Sequence, residues 1–274
     1  TVDFAEGSKD VVEVGNKTTL SAETNMAGLV WSSSDAEIAT VENGVVTGVK
    51  GGEVTITATA GELSVEKTVY VVGDGLYSDQ IGMRIGGYQY QDKPAYFNMA
   101  TGNNGEMVVT SKFQANATYA PALTIRNLYS KAYYQALVNN GYTKLVFNLA
   151  VEGDLDELYV FGKAINTFPQ ANGVYTISID TQHFVTYYDT MSTIATSGSQ
   201  VGQASSITAK FITWKSPENE WNATRNYTFT ISNVEYRKGA LVSSNIGARI
   251  NGWNMSTNAD YMTMNVGENG EMVI

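Results

Sequence analysis

One stretch of this chain is written twice. Residues 81–109, IGMRIGGYQYQDKPAYFNMATGNNGEMVV, align without a gap on residues 246–274, IGARINGWNMSTNADYMTMNVGENGEMVI, at a constant offset of 165. Thirteen of the 29 aligned positions are identical, among them Arg84/Arg249, Tyr96/Tyr261 and the run 104–108 against 269–273. A gapless match at a fixed period marks tandem modules, so the fold must be able to build the same piece of structure twice. Two arrangements satisfy that. Residues 241–274 begin a second copy of the module that holds the first stretch, or they supply strands that complete it. On the first reading the chain is expected to be an excerpt from a longer array.

The residues between the copies are those of short strands and tight turns. There are 26 glycines, four prolines and 17 tyrosines, and Thr, Ser and Asn are frequent. A hydrophobic fraction of 43% with only 16% charged residues is globular. No run approaches the ~20 apolar residues of a membrane-spanning helix. Cysteine is absent, which excludes disulfides, thiolate metal sites and a cysteine nucleophile.

Charge is unevenly placed. Residues 1–75 carry 12 acidic and 4 basic side chains, residues 76–240 carry 12 of each, and the tail carries 3 and 1. No basic stripe for nucleic acid is present. The break near residue 75 coincides with VVGDGLYSD, which reads as a glycine-bearing linker. Three regions follow: residues 1–74, 75–240 and 241–274.

In the first region Val54-Thr55-Ile56-Thr57-Ala58 alternates, and Asn43-Gly44 and Gly51-Gly52 are turn signals. Val14-Gly15, Thr19-Leu20, Trp31-Ser32-Ser33-Ser34-Asp35, Ile38-Ala39-Thr40-Val41, Gly44-Val45-Val46-Thr47-Gly48 and Gly51 occur in order ahead of or around it. In this set the segment 10–72 resembles the group 2 bacterial immunoglobulin-like domain. The resemblance implies a small β-sandwich that acts as a spacer in bacterial surface proteins, adhesins and multidomain glycan-degrading enzymes. It also implies that Trp31 is a core residue.

The second region repeats strand-like runs at residues 106–110, 122–126, 144–152, 159–164, 173–180, 206–214 and 226–236. In the last, Tyr227, Phe229 and Ile231 share one face and Thr228, Thr230 and Ser232 the other, the pattern of a half-buried antiparallel strand. Ser130 is a plausible cap for a helix over 131–138, and Asn140-Gly141 a matching stop. The expected fold is therefore all-β: an immunoglobulin-like sandwich, then a larger β-sandwich or jelly roll with one short helix. In organisation, and in its closing strand TFTISNVEY, the second region resembles the β-jelly-roll carbohydrate-binding modules. No family motif fixes the sugar.

Sugars are held by flat aromatic faces and by polar side chains matched to hydroxyls. WKSPENEW supplies Trp214 and Trp221 around a polar loop with Glu218, Asn219 and Glu220, followed by Asn222. Tyr88 and Tyr90 are two apart and share one strand face. Tyr187 and Tyr188 form a third patch. The bland alternative for each is packing. Arg84, matched by Arg249, reads as a buried ion-pair or hydrogen-bond residue, with Glu106, matched by Glu271, as its candidate partner. Asp154 and Asp156 are candidate oxygen ligands for a structural calcium, without the full loop of a known motif. Otherwise no cofactor is expected.

Catalysis has little support. His183 is the only histidine, no G-x-S-x-G is present, and phosphate loops and zinc spacings are missing. The expectation is a non-catalytic polysaccharide- or oligosaccharide-binding module, presented on an immunoglobulin-like spacer, extracellular or at the bacterial cell surface. A fragment of a larger glycan-degrading enzyme would look the same. The competing expectation is a structural or adhesive surface repeat that binds protein or self-associates through residues 244–274.

Overall fold

The computed structural model describes residues 1–7, 9–73, 81–85, 88–89, 97–114, 121–125, 129–153, 157–186, 209–215, 224–239, 249–250, 253–254, 265–266 and 272–273. The first module runs through β1 (Val2–Phe4), β2 (Val11–Glu13), β3 (Lys17–Thr19), β4 (Ala22–Thr24), β5 (Val30–Ser33), β6 (Ala39–Glu42), β7 (Val45–Gly48), β8 (Gly52–Ala60) and β9 (Leu63–Val72). Its sheets are ordered β2-β9-β8-β5 and β3-β7-β6, with β1 and β4 as a separate pair. The alternation in β8 does what period two demands: Val54, Ile56, Ala58 and Ala60 are buried, while the residues between them are half-buried. Leu20, Val46, Ile56, Val69 and Val71 close the core between the layers.

Asn43-Gly44 makes the two-residue hairpin that joins β6 to β7, with φ of 48° and 80° and Glu42 paired to Val45. Both residues are left-handed, as the twist-matching turn requires. A methyl group on Gly44 would lie 2.4 Å from the Leu20 carbonyl oxygen, so no side chain fits there. Trp31 is partly buried and packs on Phe4, ring centroids 6.0 Å apart, as a core-lining residue.

The second module contains β10 (Ile81–Ile85), β11 (Tyr88–Gln89), β12 (Phe97–Thr101), β13 (Met107–Gln114), β14 (Pro121–Ile125), α1 (Lys131–Asn139), β15 (Tyr142–Glu152), β16 (Glu157–Val160), β17 (Lys163–Ala164), β18 (Gln170–Ala171), β19 (Val174–Asp180), α2 (residues 181–186), β20 (Ala209–Lys215) and β21 (Thr224–Lys238). Two six-stranded sheets result, β11-β10-β14-β20-β16-β17 and β12-β13-β21-β15-β19-β18. One core joins them. Leu123, Leu158 and Val160 come from the first sheet; Val109, Phe147, Leu149, Ile177 and Phe229 come from the second. In β21 the faces divide as alternation predicts, with Tyr227, Phe229 and Ile231 buried. Each such burial is worth roughly 1.5–3 kcal/mol. The protein is all-β with two short helices among the described residues.

One predicted strand was wrong. Residues 159–164 are not continuous; β16 ends at Val160 and β17 begins at Lys163, with Phe161-Gly162 as the turn between them. The predicted helix is present with its expected ends. The Ser130 hydroxyl accepts from the Tyr133 N–H at 3.1 Å, and Asn140 closes the last turn ahead of Gly141 at φ 87°.

Composition pointed to a linker near residue 75, but the two modules are docked against each other up to Gly73. The Tyr133 hydroxyl donates to the Val71 carbonyl at 3.0 Å and accepts from the Gly73 N–H at 3.3 Å. Tyr129 donates to the Gly51 carbonyl at 2.9 Å, and Tyr142 donates to the Glu13 carboxylate at 2.6 Å. Val72 belongs to the core of the second module, and Val11 and Tyr70 pack on it.

The joint also completes a helix cap. In a capping box, a Glu at the third helical position reaches back to the N–H of the capping residue. Here that position is Tyr133, and α1 has no acidic residue in its first turn. Glu53 of the first module takes the role instead: it accepts from the Ser130 N–H and the Ser130 hydroxyl, both at 2.7 Å. A carboxylate at a helix N-terminus is also favoured by the helix dipole.

Docking makes the joint sensitive to alkali. Burial, then the hydrogen bond to Glu13 and its charge, push the Tyr142 hydroxyl well above the ordinary tyrosine range. Burial and the carboxylates of Glu53 and Asp10 raise Tyr70 as well. Unfolded tyrosines release protons near pH ~10, while these two retain theirs when folded. Their contribution is therefore complete below about pH 10 and is lost as pH rises beyond it. Urea midpoints measured from pH 8 to 11.5 are expected to fall steeply above ~10, less steeply in Tyr142→Phe. Equal slopes in the two proteins would reject the assignment.

The tail repeats more than letters. Four short strands are described, β22 (Arg249–Ile250), β23 (Trp253–Asn254), β24 (Asn265–Val266) and β25 (Met272–Val273). Arg249 pairs with Asn254 and Ile250 with Trp253, the register of Arg84 with Gln89 and Ile85 with Tyr88. Asn265 pairs with Val273 and Val266 with Met272, the register of Ala100 with Val108 and Thr101 with Met107. Among the described residues these strands pair only with one another.

Candidate functional site

Most of the aromatic candidates fall where the structure is silent. Trp221, Tyr90, Tyr187, Tyr188, Glu218, Asn219, Glu220, Asn222, Asp154 and Asp156 lie outside the described residues. Trp214 stands in β20 opposite Leu158, and Tyr88 stands in β11 opposite Ile85. Glu106 is described: its carboxylate accepts from the Asn104 N–H at 2.8 Å and folds against Gly102, tying its own turn. Among the described residues no three His, Cys, Asp or Glu side chains converge on a metal-sized point.

What the structure does assemble is a cleft at one end of the second sandwich, where the two sheets are bridged. The Phe161 hairpin and β17 come from one sheet; the end of β19 and helix α2 come from the other. Phe161, Lys163, Ile179, Asp180, Gln182, His183 and Thr186 line a space of about 320 Å³. That volume lies at the low end for small-molecule sites and suits one sugar-sized ring.

The turn that builds one wall is unusual. Phe161 has φ 47° and Gly162 φ 77°, and Val160 pairs with Lys163 across them. This is the turn that Asn-Gly makes without strain; a bulky residue in the left-handed region costs about 1–2 kcal/mol. Burial of the ring offsets the cost. Phe161 is 7% exposed and meets Phe184 edge-on at 5.3 Å and the His183 ring at 5.8 Å. The backbone is held in a costly shape that places an aromatic wall beside α2.

The polar side chains of the cleft have distinct states. Lys144 pairs with Asp180, and that hydrogen bond, more than the charges of Lys144 and Lys163, holds the Asp180 carboxyl below its usual range. The His183 ring meets those of Phe161 and Phe184 on one side while the residue stays exposed to solvent; partial desolvation first, then the charge of Lys163, lower its pKa, so the imidazole is neutral at pH 7. A neutral imidazole offers one donor and one acceptor. Gln182 and Thr186 are four apart on α2 and exposed, with the Thr186 hydroxyl donating to the Gln182 carbonyl at 3.1 Å. Lys163 is exposed and has no ion-pair partner among the described residues. The cleft thus brings one imidazole, one amide, one hydroxyl, one ammonium and one carboxylate to a single space.

Sequence reasoning missed this cleft. Phe-Gly is not a hairpin signal, and the single histidine was weighed only as a catalyst. The signal available was a glycine inside an otherwise strand-like run, which marks a break.

Residues 6–71 match the family described as bacterial Ig-like domain (group 2). That span is the strand set β2–β9 with its two layers and its Asn43-Gly44 hairpin. The first module is a bacterial Ig-like domain. The Ig-like domain thus ends at the point where it docks on α1. No curated protein matches the chain. Among solved structures, "Structure of the S-layer protein SbsC, domains 5-6" aligns at 17% identity over 66% of this chain and 83% of that one, with a TM-score of 0.22. At that TM-score the two chains do not share one overall superposition. Among the described residues no helix is long and apolar enough to cross a membrane.

Proposed function

We propose that the second module is a non-catalytic carbohydrate-binding module, held by its Ig-like domain in a secreted or surface-attached bacterial protein. The observation that carries this reading is the cleft beside Phe161. It gathers imidazole, amide, hydroxyl, ammonium and carboxylate groups beside the largely buried Phe161 ring, the mixture that matches the hydroxyls on the rim of a sugar. The Ig-like domain supports the surface setting, because such domains space binding modules away from an anchor. The docked joint supports a fixed presentation of the module, since the spacer grips α1 directly.

The test is a screen of the whole chain against soluble and insoluble polysaccharides by affinity electrophoresis and pull-down, with reducing-end release followed in parallel. Retention by at least one polysaccharide without turnover is the expected result. Retention by none, in protein shown to be folded, would reject the reading; turnover would reject its non-catalytic part.

A second reading has its own observation. The tail hairpins carry the pairing register of β10–β13, so residues 246–274 present a second copy of strands that the module pairs internally. A structural repeat that self-associates through residues 244–274 would use them. Light scattering after size exclusion decides this: concentration-dependent dimers that vanish on deleting 244–274 support it, and a monomer at all concentrations refutes it.

A further inference from the structure

The cleft has a sign. Its carboxylate, Asp180, is already neutralised by Lys144, and His183 is uncharged at neutral pH. Lys144 and Lys163 both act on that one carboxylate, so the group keeps one net positive charge, with Lys163 the ammonium that lines the cleft. This is notable on a chain whose net charge is −10. An ammonium that lines a cleft attracts a negative charge. Asp180 lies in the same lining, and a dianion would meet its oxygens.

From this we infer that the cleft between the Phe161 hairpin and α2 binds a sugar unit bearing a single carboxylate, a uronate, with Lys163 as its counter-charge. The inference rests on the carbohydrate reading above and narrows it to acidic glycans. The geometry assigns the parts. Lys163, at the start of β17, meets the carboxylate. Gln182 and Thr186, one helical turn apart on α2, face the ring hydroxyls together with the His183 imidazole. Phe161, 7% exposed, lends only an edge to the cleft, its position fixed by the left-handed turn. A space of about 320 Å³ takes one such unit. The negative Ig-like domain, with 12 acidic and 4 basic residues in 1–75, repels the same polymer and leaves the cleft as the place of contact.

The test uses the whole chain in isothermal titration with trigalacturonate, the neutral α-1,4-galactotriose of the same linkage, and inorganic phosphate. Trigalacturonate is expected to bind with an affinity that falls as salt rises, and the neutral trisaccharide to bind at least about tenfold more weakly. Lys163→Met is expected to weaken trigalacturonate by about tenfold, the worth of a charge-assisted hydrogen bond. Lys9→Met removes the same charge from an exposed site on the Ig-like domain and is expected to change nothing. Thermal melts of both variants matching the parent exclude misfolding. If Lys163→Met and Lys9→Met bind alike, or the neutral trisaccharide binds as well as the acidic one, the cleft assignment falls while carbohydrate binding stands. Binding of phosphate without trigalacturonate overturns it as well. If no saccharide binds at all, both readings fall together.

Discussion

Tyr133→Ala is expected to destabilise the second module by about 3–5 kcal/mol and to split one unfolding transition into two. The residue is completely buried, and its ring lies 4.2 Å from that of Tyr129 and edge-on to those of Tyr134 and Tyr70 at 5.3 and 6.3 Å. Its hydroxyl bonds to Val71 and Gly73 of the Ig-like domain. One side chain therefore serves two purposes: it fills the core of its own module and fastens the neighbour. Truncation leaves a cavity in the first and unpaired backbone groups in the second. Tyr133→Phe separates the two effects. It keeps the ring and removes two hydrogen bonds, so a loss of about 1–2 kcal/mol is expected, mainly at the joint. Differential scanning calorimetry reads both. If the Ala variant melts within about 0.5 kcal/mol of the parent, the joint is not where the modules are coupled.

The contrast with what the sequence revealed lies in the range of the interactions. The helix was legible because its cap, its stop and its inward positions are within a dozen residues of one another. The strand β21 was legible because Tyr227, Phe229 and Ile231 obey period two without outside help. The Ig-like domain was legible because Asn43-Gly44 builds its β6–β7 hairpin and β8 alternates from end to end. The joint was not legible. Tyr133 with Val71, Ser130 with Glu53 and Tyr142 with Glu13 are separated by 62, 77 and 129 residues. Nothing in an amphipathic helix says which body will cover it. The charge break at residue 75 pointed to a linker, whereas Glu13 and Glu53 are acceptors at an interface.

The cleft failed for a related reason. Its lining comes from β17, the end of β19 and α2, brought together by the meeting of two sheets. Aromatic residues were sought where they cluster along the chain, as in WKSPENEW. The aromatic in the cleft is a single Phe made conspicuous by backbone conformation, which no side-chain pattern reports, while most of WKSPENEW lies outside the described residues. Glu106 shows the converse: the repeat singled it out, yet its bond to the Asn104 N–H makes it a turn residue, and repetition there preserves a hairpin.

Glu53→Ala is expected to cost about 2–3 kcal/mol, large for a half-buried surface carboxylate. An exposed ion pair is worth far less, but Glu53 accepts two hydrogen bonds from one residue at the start of a helix. Its removal leaves the Ser130 N–H unsatisfied and takes a negative charge from the helix N-terminus. Glu53→Gln retains an acceptor and is expected to lose about half as much. Two further readouts distinguish a shared cap from general loosening. The carboxylate of Glu53 helps to raise the Tyr70 hydroxyl, so the Gln variant is expected to ionise Tyr70 at lower pH in an ultraviolet titration. A double-mutant cycle with Ser130→Ala is expected to give a coupling of about 1 kcal/mol or more, because each variant alone already breaks the shared bond. Ser130 also caps α1 locally through the Tyr133 N–H, and that part of its cost persists without Glu53. Additive losses would mean that the two residues act independently and that the Ig-like domain does not cap the helix. Coupled losses would make the spacer part of the module it carries, with its stability and its orientation set by the same carboxylate.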